Sequence, residues 1–404
     1  DLQFYKFCAY GFFKNLKFFD PFIILFFREM GLSFLQIGLL YSIREISINI
    51  LEIPTGIVAD LWGRRRVMIS AFSSYLASFL FFYFLGFNFW FSAGGMILFA
   101  LGETLRSGTH KAMILEYLKL RGWTHLKVDY YGRTRSCSQL GSALSSLIAA
   151  TLVFYSGSYR IVFLASTVPY VIDLILMTTY PKELDGELSR KPKKLRDYYL
   201  FSVESFRVLL KNERLWRTLL NSSLISSAFK VSKDYLQPIL KKWAIALPVL
   251  LFLTGQQRTA ILVGITYFII YLFSSQASRR AGDVQRKIGS SAATLNWNYL
   301  INVGIYMVAG VGFMLGLYII PLISFIGIFV IQSFQKPVMV GYVGEVADSK
   351  RMATILSVEN QSRAIIIALF APLVGLLVDH FSVGGGLLGY ALILLLLFPL
   401  ARVR

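Results

Sequence analysis

Residues 56–66 read Gly-Ile-Val-Ala-Asp-Leu-Trp-Gly-Arg-Arg-Arg. An apolar run from Leu35 to Thr55 precedes them, so a chain that has crossed an oily environment re-enters water at Arg64. Two glycines bracket one acid, Asp60, ahead of the basic run. A topology signal needs only the arginines, so Gly56, Asp60, Gly63, Arg64 and Arg65 ask for a further reason.

Composition extends this reading to the whole chain. Of 404 residues, 56% are apolar and 16% charged, with a mean hydropathy of +0.60. Soluble domains carry about 25% charged residues, so a water-soluble enzyme of this length is excluded. Twelve membrane-crossing helices of about 20 residues would use about 240 residues. The net charge of +19 comes from short basic runs between apolar segments, the pattern of membrane-protein loops and not of a nucleic-acid surface. Cys8 and Cys137 lack metal-like spacing, so neither a zinc site nor a disulfide framework is indicated. The chain opens at Asp1 and not at Met, which reads as N-terminal trimming.

Apolar segments fall at about Phe4–Phe27, Leu35–Thr55, Val67–Leu85, Phe91–Leu115, Ser136–Tyr155 and Ile161–Thr179. A second set runs at about Thr218–Leu240, Thr259–Ser278, Leu295–Val311, Leu317–Val343, Ala353–Val378 and Gly385–Leu400. Between the sets lies a segment dense in Lys and Arg, from Tyr180 to Arg217. The expected fold is therefore an all-α integral membrane protein with 12 transmembrane helices in two six-helix pseudo-symmetric bundles. The expected domains are residues 1–179, a linker at 180–217, and residues 218–404. Alternate loops hold most of the remaining Lys and Arg. The positive-inside bias places these loops, the linker and both termini in the cytoplasm, in a multi-pass plasma membrane of bacterial inner-membrane type. Trp243–Leu253 is too short to span and reads as an external loop or an extension of the seventh helix.

The quoted stretch resembles the signature between the second and third helices of the major facilitator superfamily. It departs at one position, where Leu61 stands in the first basic slot. Ser278-Arg279-Arg280-Ala281-Gly282-Asp283 resembles a decayed second copy, and Arg351-Met352-Ala353-Thr354-Ile355-Leu356-Ser357 looks like an Arg-Ala-Thr-x-Leu-Ser opening of the eleventh span. The Gly-Pro element of drug/proton antiporters is missing from the fifth span, around Gly141-Ser142-Ala143-Leu144. The resemblance implies a solute carrier in which Gly56 permits close helix approach, and in which Asp60 and the arginines form contacts that break between states.

An ionised side chain inside a bilayer costs roughly 2.5 kcal/mol or more unless it faces a partner or a cavity, which makes each one a functional candidate. The substrate-binding candidates are Arg44, Arg106, Lys230, Gln332, Arg363, Glu359 and Asn360, and the proton-coupling candidates are Glu45, Glu103, Asp20 and Asp234. Glu103 with Arg106, and Lys230 with Asp234, stand at helical spacing and are expected to pair. Arg44 and Glu45 are adjacent, point about 100° apart and are each expected to need a partner elsewhere. Lys14 and Lys17 read as snorkelling to the surface. His110 reads either as a proton relay or as a hydrogen-bonded structural residue.

A slight excess of base points to an anionic or zwitterionic small-molecule substrate moved by alternating access, with proton coupling. The other readings are a proton-driven multidrug or cation exporter and a non-enzymatic lipid transporter or scramblase. Scattered His110, His125 and His380 offer no catalytic constellation, so no enzyme, cofactor or metal is indicated. The partners expected are substrate and membrane lipid, without nucleic acid, and the chain is expected to act as a monomer.

Overall fold

The computed structural model describes residues 2–186, 212–288, 291–346 and 352–403. Every regular element among them is helical: α1 (Leu2–Lys14), α2 (Ile23–Glu29), α3 (Phe34–Trp62), α4 (Arg64–Leu85), α5 (Phe89–Arg106), α6 (Thr109–Leu120), α7 (Lys127–Ser156), α8 (Ile161–Thr178), α9 (Glu213–Ser232), α10 (Leu236–Ala246), α11 (Gly255–Ile288), α12 (Ala292–Met314), α13 (Ile319–Val346) and α14 (Met352–Ala401). Eight helices among the described residues are long and apolar enough to cross a membrane. Most of the expected linker, residues 187–211, lies outside the described residues.

Helix boundaries follow local chemistry. The start of α3 is a capping box, in which Ser33 Oγ accepts the Gln36 N–H at 3.1 Å and Gln36 Oε1 accepts the Ser33 N–H at 2.9 Å. Asn88, Asn212 and Ser291 cap α5, α9 and α12 in the simpler way.

Three expected spans do not run as single helices. The first breaks after Lys14, where Asn15 turns its amide back onto the Gly11 carbonyl at 2.7 Å. A 3₁₀ turn at Asp20–Phe22 then leads into α2. The fourth breaks at Ser107 and Gly108, whose φ of +77° suits glycine alone without strain. The seventh breaks at a 3₁₀ turn, Lys233–Tyr235. Conversely, α14 carries the last two expected spans, separated by a break at Phe381 and Ser382.

The chain gathers into two compact units. One comprises Asp1–Met30, Ile43–Leu195 and Gln256–Tyr271, the other Gly31–Ser42, Arg196–Gly255 and Leu272–Arg404. Lipid gives no hydrophobic drive between helices, so close packing and interhelical hydrogen bonds must hold each unit, at about 0.6–2 kcal/mol per bond. In the first unit, Ser74 and Ser78 of α4 donate to the Leu98 and Gly95 carbonyls of α5 at 2.7 and 2.8 Å. Gly141 of α7 meets the Phe12 carbonyl so closely that a Cβ would stand 2.4 Å from its oxygen. In the second unit, Gly310 of α12 and Gly384 of α14 approach each other in the same manner, and Tyr299 donates to the Leu394 carbonyl at 2.7 Å.

Candidate functional site

Two cations of the first unit, Lys14 and Arg106, stand at helix ends. Arg106 ends α5, and the carbonyl end of a helix favours a cation. Its Nη2 meets Glu103 Oε2 at 2.8 Å, and its Nε donates to the Tyr75 hydroxyl at 3.0 Å. That hydroxyl in turn donates to Glu103 Oε1 at 2.7 Å, which closes a ring of three groups. Gly102 makes the ring possible, because a Cβ there would lie 2.9 Å from the Tyr75 ring. The expected Glu103–Arg106 pairing is present, and sequence spacing gave no hint of Tyr75 on another helix. Both charged side chains keep about a fifth of their surface exposed.

Beside the ring opens a cavity of about 590 Å³, lined by residues of α1, α5, α6 and α7 and the turn at Gly108. Arg106, Lys111 and Arg135 supply cations to its wall, Asn15 and Gln139 supply amides, and neither Asp nor Glu is among the described residues that line it. His110 and Tyr10 stack in the wall at 3.6 Å between ring centroids. His110 Nε2 lies 3.2 Å from the Tyr180 hydroxyl, which gives this histidine its hydrogen-bonded structural role. Lys14, the last residue of α1, is half-buried and feels Arg106, Glu103, Lys17 and Asp20. The snorkelling reading of Lys14 therefore gives way to one in which α1 stops where its cation meets the site. Lys17 lies over the Phe99 ring at 5.9 Å, and Asp20 opens the 3₁₀ turn before α2.

One pairing joins neighbours, and another departs from expectation. Arg44 folds back onto its neighbour, with Nη2 3.0 Å from Glu45 Oε1, because a guanidinium on a long stem spans the 100° between adjacent positions. Around Arg44 stand Phe19, Phe79, Phe82, Phe99 and Phe163, which leave Glu45 nearly dry. Asp234 binds Lys233 at 2.6 Å and accepts the Tyr41 hydroxyl at 2.9 Å, in place of the expected pairing with Lys230. The α-helical register ends at Ser232, so the four-residue spacing that brings side chains together no longer applies across the 3₁₀ turn.

In the second unit, Arg363 donates to Asn360 Oδ1 at 2.9 Å and lies 3.8 Å from Glu359 Oε2, so the three predicted residues meet on α14. Facing them, α9 buries Asn221, Ser222, Ser223, Ser226 and Ser227. Ser223 and Ser227 donate to the Glu359 and Arg363 carbonyls at 3.4 and 3.1 Å. This polar face escaped sequence reading, although Asn-Ser-Ser-Leu-Ile-Ser-Ser inside an apolar span is its visible signal. Gln332 is half-buried on α13, one turn from Gln335, whose Oε1 accepts from Asn298.

The basic motif is held within the first unit. A Cβ on Gly63, at φ +88°, would stand 2.9 Å from the Asp185 carboxyl carbon. Asp185 Oδ1 accepts the Arg65 N–H at 2.7 Å and so caps α4 from the start of the predicted linker. Arg65 also donates to the Tyr180 carbonyl at 3.2 Å, and Arg64 reaches Glu116 at 3.4 Å. Gly56 meets nothing within 4 Å among the described residues, while Gly63 makes a close approach. The side chains of Asp60 and of 281–286, and residue 351, lie outside the described residues. Asp185→Ala is expected to cost about 1 kcal/mol of stability through the lost cap, read as a lowered unfolding temperature of the purified protein; an unchanged temperature would remove the cap from the fold's support.

Paired charges inside an all-helical protein with several membrane-spanning helices fit the class of membrane transporters. Residues 6–371 match the Major Facilitator Superfamily, and the chain belongs to that family. It is 25% identical over 229 residues to the uncharacterized MFS-type transporter YxaM of Bacillus subtilis (strain 168), a match covering 55% of this chain and 54% of that protein. The match thus spans about half the length of that relative. The fold is similar to that of the nucleoside transporter NupG, with a TM-score of 0.75 at 14% identity over 99% of this chain and 97% of that one. It is also similar to a POT family transporter crystallised with a thioalcohol-conjugated peptide, with a TM-score of 0.69 at 14% identity over 98% and 93% of the two chains.

Proposed function

We propose that this protein is a secondary active transporter that moves a small anionic or zwitterionic solute by alternating access, driven by protons. The observation that carries the reading is the 590 Å³ cavity with three cations, and no acid, among the described residues of its wall. Its volume falls in the range that encloses a small organic ligand, about 300–1,000 Å³. Arg106 is split between Glu103 and Tyr75, and its planar fork suits a carboxylate or phosphate that competes for it. The stacked His110–Tyr10 pair favours a solute with a flat ring. In the second unit Arg363, Glu359, Asn360 and Gln332 are the matching substrate candidates, with Lys230 and Arg44 behind them. Glu103, Glu45, Asp20 and Asp234 remain candidates for coupling. Membership of the family, whose carriers are built from paired repeats, supports twelve spans in two bundles, a cytoplasmic linker and termini, and a bacterial inner-membrane setting. The working unit in this reading is the monomer.

The test is uptake by proteoliposomes holding the purified chain, with labelled benzoate, nicotinate, uridine monophosphate and glutamate as candidate solutes and uridine and dialanine as neutral controls. Accumulation of an anion, stimulated by an acid outside, is the expected result. Transport confined to the neutral controls or to cationic drugs would overturn the assigned charge preference, and solute-independent lipid flipping would overturn the carrier reading.

A further inference from the structure

Asp173, on α8, is fully buried, and neither of its carboxyl oxygens has a hydrogen-bond partner among the described residues. Sequence reading passed over it in Val171-Ile172-Asp173-Leu174. An ionised carboxylate in such a place would forfeit its hydration with nothing to replace it, a cost of several kcal/mol. The nearby groups that would answer it are otherwise engaged or out of reach. Tyr170, one turn earlier, donates to the Lys14 carbonyl at 3.1 Å. Tyr180 is shared between His110 Nε2 and the Lys6 carbonyl, at 3.2 and 3.3 Å. Lys14 of α1 is the cation acting on Asp173, yet it makes no ion pair among the described residues. Tyr10, also on α1, has a buried hydroxyl, and its ring lines the cavity beside Arg106. From α4, Tyr75 packs edge-on against Tyr170 and carries the link to Glu103 and Arg106. Among the described residues, contacts of α7 with α8 bring no ionisable group that acts on Asp173.

We propose that Asp173 is the residue that takes up and releases the coupling proton, a proposal that rests on the carrier reading above. In the arrangement described here the carboxyl holds the proton. Its release leaves a carboxylate, which the Lys14 ammonium then neutralises as an ion pair, and the proton leaves past the Tyr10 hydroxyl to water in the cavity. Charge balances, since the departing proton carries away the positive charge that Asp173 gives up, and the new ion pair favours the charged form of Lys14. The break after Lys14 supplies the freedom for that ammonium to move, because Asn15 ends α1 there.

The experiment is infrared difference spectroscopy of the full chain in lipid vesicles over a pH ramp, which needs no substrate. A carboxylic-acid carbonyl band is expected in the unaltered protein, lost in Asp173→Asn, kept in Glu103→Gln, shifted in Asp173→Glu, and converted to carboxylate as pH rises. Lys14→Met should move that conversion to higher pH, since the ion pair that rewards release is gone. A band from Asp173 that is absent at all pH values, or present and unchanging throughout, overturns the proposal. A second arm compares uptake of benzoate and uridine monophosphate: Asp173→Asn should lose acid-driven accumulation and retain exchange of internal for external solute. Acid-driven accumulation that survives in Asp173→Asn also overturns it. If the unaltered protein transports neither compound, nor any other of the uptake panel, the carrier reading fails, while the infrared result still decides where the proton sits.

Discussion

Arg106→Ala is expected to lower solute uptake by about 100-fold or more. The substitution removes a guanidinium that holds both Glu103 and Tyr75, and it leaves Glu103 in a largely buried place without its cation. Breaking one partner from a buried pair costs about 3–5 kcal/mol, and each 1.4 kcal/mol is a factor of ten. Exposure of about a fifth of each side chain puts the effect at the lower end of that range. Arg106→Lys keeps the charge and loses the fork, so it should recover stability more than transport. Tyr75→Phe removes one hydrogen bond from each of its two partners and should cost about tenfold or less. The double variant Glu103→Gln with Arg106→Ala separates the roles: if the pair only supports the fold, removing both charges restores uptake, whereas a substrate-binding arginine leaves it lost. Initial rates in proteoliposomes, with the unfolding temperature of each variant, read the difference.

Gly38→Leu is expected to abolish transport by a different route. In the second unit the first turns of α3 lie on α14 so closely that a Cβ on Gly38 would stand 2.2 Å from the Ala371 carbonyl oxygen. Gly375 meets the Phe34 carbonyl at the same distance. Asp379 accepts the Phe34 and Leu35 N–H groups at 2.9 and 2.8 Å, and Ser42 donates to the Ala368 carbonyl at 2.6 Å. Backbone stands on both sides of the contact, so nothing yields to a leucine and the two segments must part. Ser42 is buried in this arrangement. With Cys8 and Cys137 replaced by Ser, Ser42→Cys should resist a maleimide and become reactive once Gly38→Leu is added. Continued protection would mean that the packing tolerates the side chain. Asp379→Ala loosens the same contact more gently, by about 1–2 kcal/mol for the lost helix cap.

How far these elements were legible depends on the range of the interaction. The run from Leu35 to Thr55 and the arginines at 64–66 announce a span and its end, because transfer of side chains between oil and water is a local property. Ser33 and Gln36 announce the start of α3 for the same reason, since a capping box closes within four residues. The Glu103–Arg106 pair was legible because it follows helical spacing on one unbroken helix. The same rule failed for Lys230 and Asp234, where a 3₁₀ turn intervenes.

By itself the sequence determined that the chain is helical and membrane-embedded, where its basic loops stand, and which ionisable groups must be accounted for inside. Tertiary structure decided what those groups meet: Tyr75 closing the ring on Arg106, Asp185 capping α4 against Gly63, Asn15 stopping α1 at Lys14, and Asp173 without a hydrogen-bond partner among the described residues. The physical reason is that hydropathy and capping add up along a few neighbouring residues, whereas the fate of a buried charge is set by atoms brought to it from helices far away in the chain.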